Sequence, residues 1–374
     1  MAEAEPSADN GSGSAMTTLL IAAWAITLTS FGGGAAWLLL TSGNAGPGGG
    51  TSPQVTMSLN SFHDVEPIPS DGATVDSDPP TNDSNATAGS GPKSQPVADE
   101  TKVAAAGLHP SPDPLLVEKS DLGPLPIIGK DGRLPWRVYA RPFNSIDSRP
   151  RIAVIVTGLG VSENATKSAI ESLPGAVTLS FAPFAKDLAK WIDKSRSSGH
   201  EVLIDLPMEP IDYPRSDPGP NTLLTNVPID QNLRRLGWIL SRATGYIGVS
   251  IYMGSGMVSK PRALSPILSE LKTRGLMLVD TRENPLGHAA DLAKEMNLTV
   301  AISDALIDRD LAASQIDKQL AELEKRARER GAAVAVGRPF PVTVNRLKEW
   351  TASLNAKGIA LAPVSALPAV QKAQ

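Results

Sequence analysis

The sequence predicts an α/β domain, a (β/α) barrel of seven to eight staves over residues 151–368, on three observations. The first is Arg151-Ile-Ala-Val-Ile-Val156, with five consecutive apolar and mostly β-branched residues closed by Thr157-Gly-Leu-Gly160. Such a run reads as a strand buried on both faces, as in parallel sheets. The second is repetition. Strand candidates recur at Ile152–Val156, Val177–Phe181, Val202–Leu206, Gly248–Ile251, Leu276–Val279, Thr299–Ile302, Ala333–Val336 and Ile359–Ala362. Helical patterns fall between them near 161–172, 186–198, 229–243, 261–274, 286–296, 311–330 and 342–357. The third is punctuation. Pro261 suits a first helical position, and Gly275, Gly331 and Gly358 stand where helices end on a left-handed residue. A doubly wound open sheet satisfies the same alternation and remains the alternative.

The 374 residues divide sharply by charge. Residues 1–115 hold twelve acids and two bases, leaving 27 acids and 33 bases for the rest: a basic body follows an acidic tether. A net positive body favours anionic partners such as glycans, phosphates or a membrane surface. With aromatics at 4%, the bias is too weak for a nucleic-acid binder. The chain has no cysteine, which excludes a disulfide framework and a thiolate metal site.

Leu19–Leu40 is an uncharged stretch of 22 residues. As a helix at ~1.5 Å per residue it would span about 33 Å, enough for a bilayer. It is too long for a signal-peptide core and lacks a basic lead, so an uncleaved anchor is expected. No Lys or Arg flanks it, so charge alone does not set its orientation. The expected order is a short cytoplasmic tail at 1–18, a transmembrane anchor at 19–40 and a disordered acidic linker at 41–115. Residues 116–150 regain large apolar side chains interrupted by Pro and Gly, and read as a lead-in strapped onto the body.

Barrels of this kind keep their chemistry at the carboxyl ends of the strands. Those ends read Thr157-Gly-Leu-Gly160, Asp205-Leu-Pro-Met-Glu209, Tyr252-Met-Gly-Ser255, Asp280-Thr-Arg-Glu283, Ser303-Asp304 with Asp308 near, and Gly337-Arg-Pro-Phe-Pro341. Turn starts and helix caps account for about half of such positions. The Gly158-x-Gly160 turn lacks the third glycine of a dinucleotide fingerprint, and Glu163 in its place would repel a pyrophosphate. Of the four histidines only His288 lies near this face, so a histidine-rich zinc site is excluded. An all-oxygen Mg²⁺ or Ca²⁺ site from Asp205, Glu209, Asp280 and Asp304 stays open. No Gly-x-Ser-x-Gly elbow is present.

These clusters resemble the divergent polysaccharide deacetylase family, bacterial envelope proteins with a distorted (β/α) barrel related to metal-dependent carbohydrate deacetylases. The resemblance rests on Leu206-Pro-Met-Glu-Pro210, Met253-Gly-Ser255, Asp280-Thr-Arg282 and Val336-Gly-Arg-Pro339, with Asp131-Gly-Arg-Leu-Pro-Trp136 and Tyr139-Ala-Arg-Pro-Phe143 in the lead-in. It implies an inner-membrane, single-pass protein with its C-terminal domain in the periplasm, and a cell-wall glycan or an envelope protein as partner. The departures are as informative. Thr157-Gly158 replaces an Asp–Asp pair, Asp205 a His, Ile251-Tyr252 an Asn-His, and Arg338 the His of Gly-His-Pro. Metal-assisted deacetylation needs a polarised water and a base, and the residues that supply them are gone together.

The expectation is therefore a glycan-binding, deacetylase-like barrel with no cofactor and no deacetylase activity. Its ligand cleft would be formed by Thr157, Gly158, Tyr252, Ser255, Arg282 and Arg338. The alternative is an active deacetylase or hydrolase with one divalent metal in a rebuilt acidic site, using Asp205, Glu209, Asp280 and Asp304 as ligands and base. Crowded carboxylates without a cation would repel one another, so Arg338, helped by Arg282, is expected to bridge Asp205 or Asp280.

Overall fold

The computed structural model describes residues 107–368 and Gln371. The expected tail, anchor and most of the linker lie outside the described residues. Among the described residues no helix is long and apolar enough to cross a membrane.

A hairpin of β1 (Val117–Ser120) and β2 (Gly123–Pro126) and one helical turn, α1 (Pro135–Val138), come first. The alternating body begins with β3 (Arg151–Leu159), α2 (Glu163–Ser172), β4 (Thr178–Phe181), α3 (Leu188–Ser197), β5 (Val202–Pro207) and α4 (Ile229–Leu240). It continues with β6 (Gly248–Tyr252), α5 (Pro261–Thr273), β7 (Met277–Asp280), α6 (Ala289–Glu295), β8 (Val300–Ile302) and β9 (Ala305–Leu306). It closes with α7 (Ala313–Arg330), β10 (Ala332–Gly337), α8 (Pro341–Leu354) and β11 (Ala360–Leu361). The boundaries follow local chemistry. Ser162 Oγ accepts the Ala165 N–H at the head of α2. Pro261 and Pro341 open α5 and α8, where a missing N–H breaks no bond. Gly331, at φ 77°, ends α7.

The strands of the body form one parallel sheet in the order β8-β7-β6-β5-β4-β3-β10-β9. Its two edges, β8 and β9, are separated in the chain only by Ser303 and Asp304. The Ser303 N–H bonds the Asp280 carbonyl of β7, and the Asp304 N–H bonds the Val334 carbonyl of β10. Both edges thus meet on one segment, and the sheet must curl on itself. One expectation is corrected. The last predicted strand is not a stave: β11 pairs only Arg151 and Ile152 of β3, on the side that β4 takes further along. The edge beside β10 goes instead to β9, two residues inside the apolar stretch Ala305-Leu-Ile307, which is too short to announce a strand.

Two cores flank the sheet. Ile152, Val154 and Val156 face outward into a core shared with α2 to α8, whereas Ala153 and Ile155 face inward. The inner cluster contains no residue of those helices, which disposes of the doubly wound alternative. Small side chains such as Ala153, Ala301 and Ala332 fill the inside beside Leu203, Met277 and Val334.

The lead-in seals the amino-terminal end of the sheet. Leu116 and Tyr139 join the inner core, the Trp136 N–H bonds the Gly275 carbonyl, and Arg141 Nη1 donates to the Gly199 carbonyl at 2.7 Å. The packing starts before residue 116. Buried Arg196 donates to the carbonyls of His109 and Gly245. Asp113 pairs with Arg133 at 2.7 Å and donates its N–H to the Tyr139 hydroxyl. The final residues of the expected linker therefore belong to the body.

Candidate functional site

A cleft of about 560 Å³ opens at the carboxyl ends of β3, β5, β6 and β10. Thr157, Gly158, Asp205, Tyr252 and Arg338 reach it, and Val161, Pro183, Phe184, Pro207 and Phe340 give it largely apolar walls. Strand parity decides which side chains arrive. Thr157 follows inward-facing Ala153 and Ile155, and Asp205 follows inward-facing Leu203.

Asp205 is almost fully buried. Its Oδ2 accepts the Gly158 N–H at 2.8 Å, and its Oδ1 accepts the hydroxyls of Ser180 at 2.5 Å and Ser250 at 3.0 Å. The two hydroxyls are themselves 2.7 Å apart. Burial raises the Asp205 pKa above the usual carboxylate range, against the pull of these donors. Gly158 sits at φ 75°, the left-handed region that turns its N–H toward the carboxylate. Tyr252 is also pushed up, first by burial and then by the charges of Asp205 and Glu283.

Arg338 is bound to Asp308, which corrects the expected bridge to Asp205 or Asp280. Its backbone N–H and Nε donate to the two Asp308 carboxylate oxygens at 2.6 and 3.3 Å, and its Nη2 to the Asp308 carbonyl at 2.6 Å. Thr343 Oγ1 donates to the same fully buried carboxylate, and the guanidinium lies 5.0 Å from the Phe340 ring centroid. The physical reason lies in the register. The Ile307 N–H pairs with the Val336 carbonyl, which places Asp308 beside Arg338. Asp205 is already satisfied by neutral donors.

The other candidates stand elsewhere. Glu209 ties a loop, accepting the Thr225 N–H and hydroxyl at 2.7 and 2.8 Å, while its carbonyl accepts the N–H groups of Gly256 and Met257. Asp280 is out of phase with inward-facing Met277 and Val279, and accepts the N–H groups of Arg282 and Ala290. Asp304 holds the Val334 N–H and lies 3.4 Å from Arg330. Ser255 Oγ accepts the Ile211 N–H, and Arg282 lines a separate groove. The motif residues Leu206-Pro-Met-Glu-Pro210 and Met253-Gly-Ser255 interlock as scaffold. A side chain at Gly254 would approach Met208 to 3.0 Å and Ile251 to 2.8 Å. Ser180 and Ser250 belong to none of the strand-end motifs. Mid-strand hydroxyls among apolar neighbours were the available signal.

A family model described as divergent polysaccharide deacetylase matches residues 154–368. The chain belongs to that family. The crystal structure of an uncharacterized Agrobacterium tumefaciens C58 protein is similar at 34% identity and a TM-score of 0.64, covering 66% of this chain and 99% of that one. Escherichia coli K12 YibQ, itself uncharacterized, is 24% identical over 204 residues, which are 54% of this chain and 63% of YibQ. A Haemophilus influenzae protein is 23% identical over 203 residues, 54% of this chain and 70% of its own. The similarity thus spans just under two thirds of YibQ.

The metal implied by the relationship to metal-dependent deacetylases does not fit the residues here. Asp205 is the one carboxylate lining the cleft among the described residues, and three donors already occupy its oxygens. His109, His200 and His288 all lie away from it: on the lead-in, buried under α2 against the Val177 and Ile170 carbonyls, and at the N-cap of α6. Among the described residues no three His, Asp or Glu are grouped to hold a metal ion.

Proposed function

We propose that this protein is a membrane-tethered envelope protein that binds a cell-wall glycan in the strand-end cleft without deacetylating it. The carrying observation is the chemistry of the cleft lining. Phe184, Phe340, Tyr252 and a set of prolines offer flat apolar surface, and the single carboxylate is buried and committed to Gly158, Ser180 and Ser250. Pyranose rings present a C–H face to aromatic rings and hydroxyls to polar groups at the rim. Ser162, Asn164 and Arg338 supply such groups. Among the described residues Asp205 is the one carboxylate lining the cleft, and the three donors on its oxygens compete with a role as general base toward an acetamide.

The tether at 19–40 and a periplasmic body complete the reading, supported by the uncharged 22-residue run and the basic body. The decisive experiment titrates chitin-type and peptidoglycan-type oligosaccharides calorimetrically while assaying acetate release. Saturable binding without acetate supports the proposal. Release of acetate in step with the protein, abolished in Asp205→Asn, would replace it with the active-enzyme alternative. Fractionation of cells expressing the full chain tests the tether.

A further inference from the structure

A second groove, of about 650 Å³, lies where the sheet changes hands between β8 and β9. It is bounded by α6 on one side and α7 on the other, because no helix covers Ser303 and Asp304 themselves. Five cationic side chains line it: Arg282, Lys294, Arg309, Arg326 and Arg330. Two acids line it with them, Asp304 and Asp310, and Asp280 and Glu283 act on Arg282 and Arg309 from just outside, so the excess of positive charge is three in the lining and smaller in its surroundings. Asp304 is already shared, accepting the Val334 N–H and lying beside Arg330, and Asp310 accepts the Ala312 N–H. Among the described residues Arg282, Lys294 and Arg309 make no ion pair.

Like charges gathered from four separate elements of the chain repel one another; Arg326 and Arg330 are drawn in by the Asp304 carbonyl and carboxylate, whereas no bond of the fold brings Arg282, Lys294 and Arg309 to the same concavity. Their convergence gives the groove a field that favours an anion. Arg282 is held at φ 53°, a left-handed conformation unfavourable for a residue with a side chain. Its N–H is anchored on Asp280, so the backbone fixes where the side chain leaves the strand end. Gln315 and Gln319, one turn apart on α7, add neutral donors to the same wall. Planar guanidinium forks match phosphate oxygens two at a time.

We propose that this groove binds a phosphate-bearing ligand of sugar-phosphate or headgroup size. The inference is independent of the glycan cleft, with which the groove shares no lining residue.

The test is calorimetric titration of the full chain at low salt with three soluble probes: inorganic pyrophosphate, N-acetylglucosamine 1-phosphate and glycerophosphoglycerol. Saturable binding of at least one probe, weakened about tenfold or more in Arg282→Glu/Lys294→Glu, is expected. Preference for the sugar phosphate or for the deacylated headgroup identifies the source of the phosphate. Both substituted side chains are exposed and carry no bond of the fold, so the variant should melt at the parent temperature. Arg309→Ala provides a second, smaller loss, and Phe340→Ala in the other cleft should leave phosphate binding unchanged. Absence of saturable binding for all three probes, or binding indifferent to the charge reversal, overturns the proposal.

Discussion

Gly158 donates its backbone N–H to Oδ2 of Asp205 at 2.8 Å, joining the ends of two strands that lie 47 residues apart in the chain. With Ser180 and Ser250 it makes the upper interior of the sheet a closed polar layer. Removing the acceptor leaves the Gly158 N–H without its partner and the Ser180 and Ser250 hydroxyls with only each other. Asp205→Ala should therefore cost about 2–4 kcal/mol of unfolding free energy, measured by urea denaturation. Gly158→Ala should cost less, about 1–2 kcal/mol, because a methyl group meets no atom within 4 Å and only the φ of 75° opposes it. Equal losses would show that packing, not the hydrogen bond, sets the energy at this point.

How much of this was legible beforehand depends on parity. The alternation of strands and helices, and the motif loops at the strand ends, could be read because buried strands and caps leave strong local signals. Which carboxylates meet could not. A strand buried on both faces is apolar throughout, so hydropathy does not reveal that Asp205 points inward and Asp280 toward the helices. Ile307 and Asp308 carry a similar lesson. Their pairing with β10 depends on the edge changing neighbours at Ser303 and Asp304, a tertiary event without local trace.

Buried carboxylates also set a pH signature. Glu201 is fully buried, accepting from Thr178, Ser365 and the Arg141 N–H, yet desolvation raises its pKa above the ordinary 4.5, as it raises that of Asp205 above 3.8. In both cases the native state holds its proton more tightly than the unfolded chain. The sign follows: this contribution to stability is full below the unfolded pKa and is lost as pH rises through the folded value. Asp147, held below its ordinary range by Arg149, acts oppositely and only at more acid pH. The Glu201 and Asp205 contribution should thus fall from about pH 4.5 upward, while buried His200, its pKa lowered by desolvation, adds stability as pH rises toward the ordinary 6.5; Glu201→Gln should flatten the falling part even though it lowers the absolute stability. An unchanged slope in Glu201→Gln and Asp205→Asn would refute this assignment.

The amino-terminal boundary gives a further test. Arg196 is 8% exposed and relies on the His109 and Gly245 carbonyls, while Asp113 engages Arg133 and Tyr139. A chain beginning at residue 116 strips one acceptor from a buried guanidinium and a partner from the tyrosine hydroxyl. Against a chain beginning at residue 107 it should lose about 2–3 kcal/mol, a drop of roughly 4–10 °C in Tm for a body of this size. Coincident melts would mean that residues 107–115 only rest on the surface.

The pair of Arg338 and Asp308 separates stability from recognition. Asp308 is wholly buried and receives the Arg338 N–H, the guanidinium and the Thr343 hydroxyl, whereas the Arg338 side chain remains 38% exposed at the cleft rim. Truncating the buried partner orphans several donors, so Asp308→Ala should cost about 3 kcal/mol. Truncating the half-exposed partner leaves Asp308 with the backbone N–H and Thr343, so Arg338→Ala should cost only about 1 kcal/mol. If Arg338 contacts bound glycan, Arg338→Ala should weaken oligosaccharide binding about tenfold at nearly parental stability, the loss expected for one charge-assisted hydrogen bond. Arg338→Lys should recover stability only in part, because an ammonium cannot span the Asp308 carboxylate and carbonyl together. A double-mutant cycle on unfolding free energy measures the coupling directly. Coupling near zero, together with unaltered glycan affinity in Arg338→Ala, would reduce this contact to a surface ornament of the β10–α8 turn.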